Sequence, residues 1–171
     1  QPNHHVSVLH LDTYRAYTLF GYRHVREETG LRDWEHPFNA AWNAILSEVW
    51  TQLETLPEGS VLVLDGHMLL LEPRLVDLLD VCVYVKVTKE ECHRRRMQRK
   101  RPAPEGWDVE DYFERCIWNS HVTQHATAMA CVGRKEDLVV LEVDGTAPVS
   151  SLVGRIDRCI EASRRRSGAR L

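Results

Sequence analysis

The chain has 171 residues, a length typical of one domain, and 43% of them are apolar, which is enough to bury a sizeable core. The 22 basic and 25 acidic residues nearly balance, which argues against a general nucleic-acid or membrane surface and leaves only local basic patches open. The five cysteines are odd in number and form no Cys-x-x-Cys pair, as is typical of reduced thiols in an intracellular protein. No apolar run approaches the ~20 residues of a membrane span.

Four short runs rich in valine and leucine predict β-strands. They are Val6–Leu11, Ser60–Leu64, Val81–Val87 and Leu138–Val143. The runs are nearly continuous in apolar residues, which is typical of parallel strands whose two faces are both covered by helices. The sequence therefore predicts an α/β domain.

Helical patterns lie between and after these strands. Apolar residues recur every three or four positions after Pro37 and stop before Pro57-Glu58-Gly59. Thr88 with Glu91 resembles a capping box. The predicted helices run from Pro37 to Leu56, from Thr88 to Arg99, from Asp108 to Val132 and from Val149 to Ser163. We expect one domain over residues 1–163 and a flexible basic tail over 164–171.

Three of the four strands end on an aspartate, namely Asp12, Asp65 and Asp144. In an open parallel sheet all carboxyl ends lie on one edge, where ligands bind. Each aspartate could equally be a turn former, and for Asp144, which precedes a glycine, that is the interpretation we adopt. The sequence thus predicts carboxylates along one edge of the sheet.

A basic run follows the third strand, with six basic residues among the eight from Arg94 to Arg101. Such runs are usually solvated helix faces, but this one leads into a loop with proline and glycine at the predicted acidic edge. Arginines beside carboxylates suit the transfer of a phosphate near a metal ion. The usual cradle for nucleotide phosphates, G-x-x-x-x-G-K-[ST], does not occur in the sequence. A strand, a phosphate loop and a helix are therefore expected before Gln1.

Five stretches in order resemble the uridine kinase-like P-loop kinases, and most closely the nicotinamide riboside kinases. The most specific is Leu62–Leu70 (LVLDGHMLL), continued by the PRLVDLLD helix and by KEECHRRR. LDTY at the end of the first strand, DWEHP before the first long helix and LEVDGT at the end of the last strand agree with the same family. Each motif alone is weak, whereas their order over nearly the whole chain is specific.

The resemblance implies a parallel sheet with helices on both faces and transfer of the γ-phosphate of ATP to a ribose 5′-hydroxyl, with Mg²⁺. It implies that Asp12 is the catalytic base and that Asp65 and Thr13 lie at the metal. The expected partners are ATP and a nucleoside, with no nucleic acid and no membrane. The intact protein is expected to be a cytoplasmic monomer.

The resemblance also assigns the substrate site. Tyr14 and Trp34 are the expected aromatic residues beside the nucleoside, and Glu35 is the acid on the ribose hydroxyls. One carboxylate can accept two hydroxyl protons, and an indole face attracts a cationic nicotinamide ring by ~0.5–2 kcal/mol. The arginines expected at the ATP phosphates are Arg95, Arg96 and Arg99.

The chain departs from the nicotinamide riboside kinases at two acids. They usually carry Glu at the position of Asp65 and Asp at the position of Glu35, and the loop from Arg101 to Asp108 is shorter than their lid.

Two alternative interpretations concern the whole chain: it could be a uridine or cytidine kinase, or a non-catalytic short form that acts as a binding module. Two others concern single stretches. Arg94–Arg101 could bind nucleic acid, and the first histidines (His4, His5 and His10) could form a metal site, which is the weaker of the two.

In the family, the strand expected before Gln1 lies in the middle of the sheet. We therefore expect a gap between the strands that end at Asp65 and Val87, with unpaired backbone groups on both facing edges. The chain alone is expected to be poorly soluble or aggregated, and to transfer no phosphate.

Overall fold

The computed structural model of the protein describes residues 5–14, 33, 35–37, 40–99, 103 and 107–168. It has four strands in this part of the chain. They are β1 (Val6–His10), β2 (Val61–Asp65), β3 (Val81–Lys86) and β4 (Val139–Asp144). Each predicted strand is present and agrees with its predicted limits to within one residue.

The strands form two parallel pairs. β1 pairs with β2, from Val6 opposite Val61 to His10 opposite Asp65. β3 pairs with β4, and the last pair in register is Lys86 opposite Asp144. Among the described residues no ladder joins β2 to β3, so the sheet is divided at the place where the gap was expected. The prediction of an α/β fold with parallel strands is confirmed.

Among the described residues, six α-helical segments separate or follow the strands. They are α1 (Trp42–Thr55), α2 (Pro73–Val76), α3 (Lys89–Gln98), α4 (Val109–Tyr112), α5 (Asn119–Val132) and α6 (Val149–Gly168). A π-helical segment, Phe113–Trp118, joins α4 to α5, so the predicted long helix is continuous but locally widened. Single 3₁₀ turns follow β1 at Leu11–Tyr14 and β2 at Leu69–Leu71.

Two helix starts are set by local caps, as predicted. The Thr88 hydroxyl accepts a hydrogen bond from the backbone N–H of Glu91 at 3.2 Å. Asp108 Oδ1 accepts one from the N–H of Asp111 at 2.8 Å. Each cap satisfies one of the four N–H groups that a helix leaves without a partner at its start.

Two predicted helix limits were wrong. α1 begins at Trp42 and not at Pro37, because the N–H of Ala41 is hydrogen-bonded to the carbonyl of Tyr14 at 2.9 Å and ties the chain to the turn after β1. α6 continues beyond residue 163 to Gly168. Arg164 explains this extension, since its Nη2 donates to the carbonyls of Gly59 and Ser60 and holds the end of the helix against the start of β2. The tail expected from residue 164 thus overlaps the last residues of α6.

The segment from Met68 to Leu79 links the two strand pairs through the core. Leu69 and Leu75 pack in the cluster formed by α1 and the β1–β2 pair. Val76 packs with residues of β3, α5 and the start of β4 in a second cluster. Side chains of this one segment thus bury apolar surface against both strand pairs. This burial connects the two pairs, which no ladder joins among the described residues.

Both faces of the β1–β2 pair were predicted to be covered, and this was wrong for one face. Leu9, Leu62 and Leu64 pack against α1, whereas Val6 and Val8 on the opposite face are 55% and 46% exposed.

All five cysteines lie in the described part and form no disulfide there, as predicted. None of the helices described combines the length and apolarity needed to cross a bilayer.

Candidate active site

The turn after β1 carries three of the predicted site residues. Asp12 and Thr13 are exposed on the 3₁₀ turn that follows the strand, and Tyr14, on the same turn, is half-buried. Burial and the nearby charge of Glu48 raise the pKa of the Tyr14 hydroxyl, so the phenol stays neutral. The turn therefore carries an exposed aspartate and an exposed threonine next to a half-buried tyrosine.

The end of β2 lies directly beside this turn. Asp65 Oδ2 is 2.8 Å from Nδ1 of His10, the residue opposite it in the ladder. Gly66 approaches so closely that a Cβ there would lie 2.5 Å from the Cβ of Leu11. Because Asp12 and Asp65 are each next to this contact in the chain, the two aspartates share one edge of the sheet, as predicted.

Glu35 is held from three directions. Its N–H donates to Oδ1 of Asp33 at 2.9 Å, and its carbonyl accepts from Nε2 of Gln124 on α5 at 3.0 Å. Its carboxylate oxygen Oε2 is 3.1 Å from Nε2 of His67, the second residue after β2. The structure thus brings the predicted diol-binding acid close to the end of β2, although Glu35 and His67 are 32 residues apart in the chain.

The arginines of α3 are organised by Glu91. Its carboxylate accepts from Arg94 at 2.6 Å and from Arg95 at 2.5 Å, and these two hydrogen bonds lower the pKa of Glu91 to about 2. Arg95 also donates to the carbonyl of Gly145 after β4, at 2.8 Å. Nε of Arg96 is buried without a hydrogen-bond partner among the described residues, and Arg99 lies exposed at the end of the helix.

Electrostatics connect α3 to both strand pairs. Burial raises the pKa of the Cys92 thiol, and the thiol is close enough to Glu35 for that carboxylate to raise it further, against the opposing charges of the α3 arginines. The pKa of Asp144 is lowered chiefly by its hydrogen bonds to Thr146 and, to a smaller extent, by Arg95. α3 is therefore close to Glu35 and to the end of β4.

Asp144 is a turn former, as predicted. Its Oδ1 accepts from both the N–H and the hydroxyl of Thr146, at 2.8 and 2.7 Å. Trp34 and most of the loop between residues 100 and 106 fall outside the described residues. His67, Asp33 and Gln124 received no role from the sequence, and His10 was considered only as part of a weaker metal site. His67 lies within the most specific motif, whereas Gln124 carries no local signal, since its contact spans 89 positions.

The edge carries an exposed carboxylate of the kind that can bind Mg²⁺, that of Asp65. Mg²⁺ is commonly held by one or two carboxylates while phosphates and water complete the octahedron. The Oδ2 of Asp65 lies 2.8 Å from Nδ1 of His10, and the exposed Thr13 is on the turn that follows β1. No group of three or more metal-binding side chains occurs among the described residues, and His4, one of the three first histidines considered from the sequence, lies outside them.

Comparison of the chain with protein-family models and with curated proteins finds no match. The kinase resemblance thus depends on the order of the motifs and on the site that those motifs form.

Proposed function

We propose that the chain is the substrate-binding and catalytic-base portion of an ATP-dependent kinase that phosphorylates the ribose 5′-hydroxyl of nicotinamide riboside and so produces nicotinamide mononucleotide. The observation that carries the proposal is the meeting of Asp12, Asp65 and the Glu35–His67 pair where β1 and β2 end. A nucleoside kinase needs a base, a metal-binding acid and a diol receptor within the length of one nucleoside, and these residues supply the three functions.

In this proposal Asp12 accepts the proton of the 5′-hydroxyl as the oxygen attacks the γ-phosphorus of ATP. The bond from that phosphorus to the β–γ bridging oxygen breaks, and ADP leaves. Glu35 orients the ribose, and the ring of Tyr14 supports the turn that carries the base. Mg²⁺, when bound at Asp65 and Thr13, would supply positive charge to the phosphate oxygens.

The arginines on α3 would supply the remaining positive charge around the transferred phosphate. Arg95 is already fixed in place by Glu91 and the Gly145 carbonyl, which limits the reorganisation needed when charge develops. Arg96 has a buried N–H without a partner among the described residues, and Arg99 is exposed at the end of the same helix. A charged phosphate would satisfy the Arg96 donor.

The proposal includes a further parallel strand between β2 and β3, which would carry the phosphate cradle for ATP. It is supported by the separation of the described strands into two parallel pairs, in which each strand has one edge that forms no ladder with another described strand. A cytoplasmic location of the parent protein belongs to the same proposal and is supported by the five cysteines that form no disulfide.

A uridine or cytidine kinase is the second candidate, favoured by Asp65, where the nicotinamide riboside kinases usually have Glu. Both candidates use the same ribose contacts, and they differ in the base. Relative kcat/KM on nicotinamide riboside and on uridine, measured with the intact protein, separates them. If neither nucleoside is phosphorylated, the kinase proposal is wrong and a non-catalytic binding module becomes the better interpretation.

The role of Asp12 is tested by Asp12→Ala in the intact protein. A lost general base should lower kcat by ~10²–10⁴-fold with the fold intact. Asp80→Ala is the matched control, because Asp80 lies before β3 at the amino end of the strand, away from the carboxyl edge. Near-normal turnover of Asp12→Ala would remove Asp12 from the mechanism.

A further inference from the structure

Two histidines of α5 lie side by side at the surface. His121 and His125 are four residues apart, about one turn of the helix, so both side chains leave the same face. Their ring centroids are 5.7 Å apart, and the ring planes are inclined by 56° to each other. His121 is exposed and His125 is half-buried, so solvent reaches the pair. The helix thus presents two imidazoles together.

Each imidazole rests on an aromatic neighbour. The ring centroid of Trp118 is 4.9 Å from that of His121, and the centroid of Tyr84 on β3 is 5.7 Å from that of His125. Among the described residues, neither imidazole forms a hydrogen bond or an ion pair. The aromatic contacts therefore restrain the two rings, while their nitrogens keep the capacity to bind a ligand.

The lysines beside these rings are neutralised by carboxylates. Nζ of Lys89, which lies over the Trp118 ring, is 2.7 Å from Oε2 of Glu114. Nζ of Lys86, whose charge acts on Tyr84, is 2.6 Å from Oε2 of Glu142. A dipositive ion beside the histidines therefore meets little net repulsion from these groups.

Two neutral imidazoles at this spacing suit a transition metal. Zinc, copper and nickel are commonly bound by imidazole nitrogens, and histidines four apart on a helix can share one ion. With metal–nitrogen bonds of about 2.0–2.1 Å, the two ring centres would lie roughly 5–6 Å apart, a range that includes the separation of His121 and His125. Burial and the neighbouring His125 lower the pKa of His121, so protons compete less with a metal ion at neutral pH.

We propose that His121 and His125 form a two-histidine site for a divalent transition-metal ion, which binds Cu²⁺ more tightly than Zn²⁺ or Ni²⁺. Water completes the coordination shell, as the exposure of His121 permits. No group of three or more metal-binding side chains occurs among the described residues, so this site holds its ion less tightly than a structural zinc site with four protein ligands. The proposal is independent of the kinase function, because neither histidine belongs to the site where β1 and β2 end.

Trp118 provides a local reporter for this site, since its ring contacts that of His121. Cu²⁺ quenches the fluorescence of an indole at short range, whereas Zn²⁺ does not. Titration of the intact protein with Cu²⁺ should quench a part of the emission that Trp118→Phe lacks, with saturation at one equivalent. An excess of Zn²⁺ should restore this emission by displacing the copper.

Substitution of either histidine tests whether the two act as a pair. His121→Gln and His125→Gln should each weaken Cu²⁺ binding by about 10²-fold or more, because the second imidazole no longer binds intramolecularly. The matched control is the double variant His121→Gln/Thr123→His, which keeps the number of histidines and uses an exposed position. Its two rings lie about 200° apart around the helix, so it should bind Cu²⁺ as weakly as His121→Gln alone.

A second control removes a histidine elsewhere. His93 pairs with Glu110 and lies on α3, so His93→Gln should bind Cu²⁺ as the wild type does. If the double variant binds Cu²⁺ as tightly as the wild type, the ion is held by single histidines and the paired site is wrong. The proposal is also overturned if the emission that Cu²⁺ quenches in the wild type is equally quenched in Trp118→Phe.

Discussion

Replacement of Gly66 by alanine should disrupt the junction that brings Asp12 and Asp65 together. An added Cβ would lie 2.5 Å from Cβ, 2.9 Å from Cδ2 and 3.2 Å from Cγ of Leu11. Carbon atoms prefer separations of about 3.5–4.0 Å, so the nearest pair must move apart by about 1 Å. Leu11 is 2% exposed, and its Cβ is bonded to the backbone, so a rotamer change cannot relieve the nearest contact.

The expected cost follows from this geometry. Overpacking a well-filled core typically costs ~1–3 kcal/mol, and Gly→Ala returns ~0.4–1 kcal/mol by restricting the unfolded chain. The free energy of unfolding should therefore fall by about 1–2 kcal/mol. At ~2–4 °C for each kcal/mol in a protein of this size, Tm should fall by several degrees.

Urea unfolding of the intact protein, followed by circular dichroism, measures this change. Gly133→Ala is the control, since Gly133 ends α5 with helical dihedral angles and its added Cβ would meet nothing closer than 3.4 Å. The control should be neutral or slightly stabilising. If Gly66→Ala is as stable as Gly133→Ala, the contact with Leu11 does not hold the two strand ends together, and the argument for a shared edge fails.

Three further outcomes are expected. Glu91→Gln removes the carboxylate that holds Arg94 and Arg95, so in a kinase assay it should raise the KM for ATP more than the KM for the nucleoside; an unchanged KM for ATP would separate this pair from phosphate binding. Burial, together with the neighbouring His125, lowers the pKa of His121 in the folded state. Below pH ~6.5 the unfolded chain therefore binds more protons than the folded chain, and the free energy of unfolding should fall as the pH drops through this value. The effect should be small, because His121 is exposed overall although its ring contacts that of Trp118. If a His121→Gln variant shows the same dependence of Tm on pH as the wild type, His121 is not the origin of the effect. Finally, the 171-residue chain alone should elute as aggregate on size exclusion and transfer no phosphate, whereas a monodisperse, active chain would contradict the proposed additional strand.

Local sequence determined the elements of this protein. The four strands of the described residues could be located from nearly continuous runs of valine and leucine, although the face of the β1–β2 pair that carries Val6 and Val8 is exposed. The starts of α3 and α4 were predictable as well, since Thr88 and Asp108 bond to N–H groups only three residues away. A pattern within one turn contains all the atoms that such a cap requires.

Tertiary structure decided how the site is assembled. The pairs His10–Asp65 and Glu35–His67 join residues that are far apart in the chain, and no pattern around either member indicates its partner. The limits of α1 and α6 depended in the same way on hydrogen bonds to distant carbonyls, those of Tyr14 and Gly59. Local propensity selects among backbone conformations, whereas the positions of charged side chains relative to one another depend on which surfaces the folded chain brings into contact. The sequence could therefore indicate that acids end these strands, and only the fold shows that His67 lies beside another of the predicted acids, Glu35.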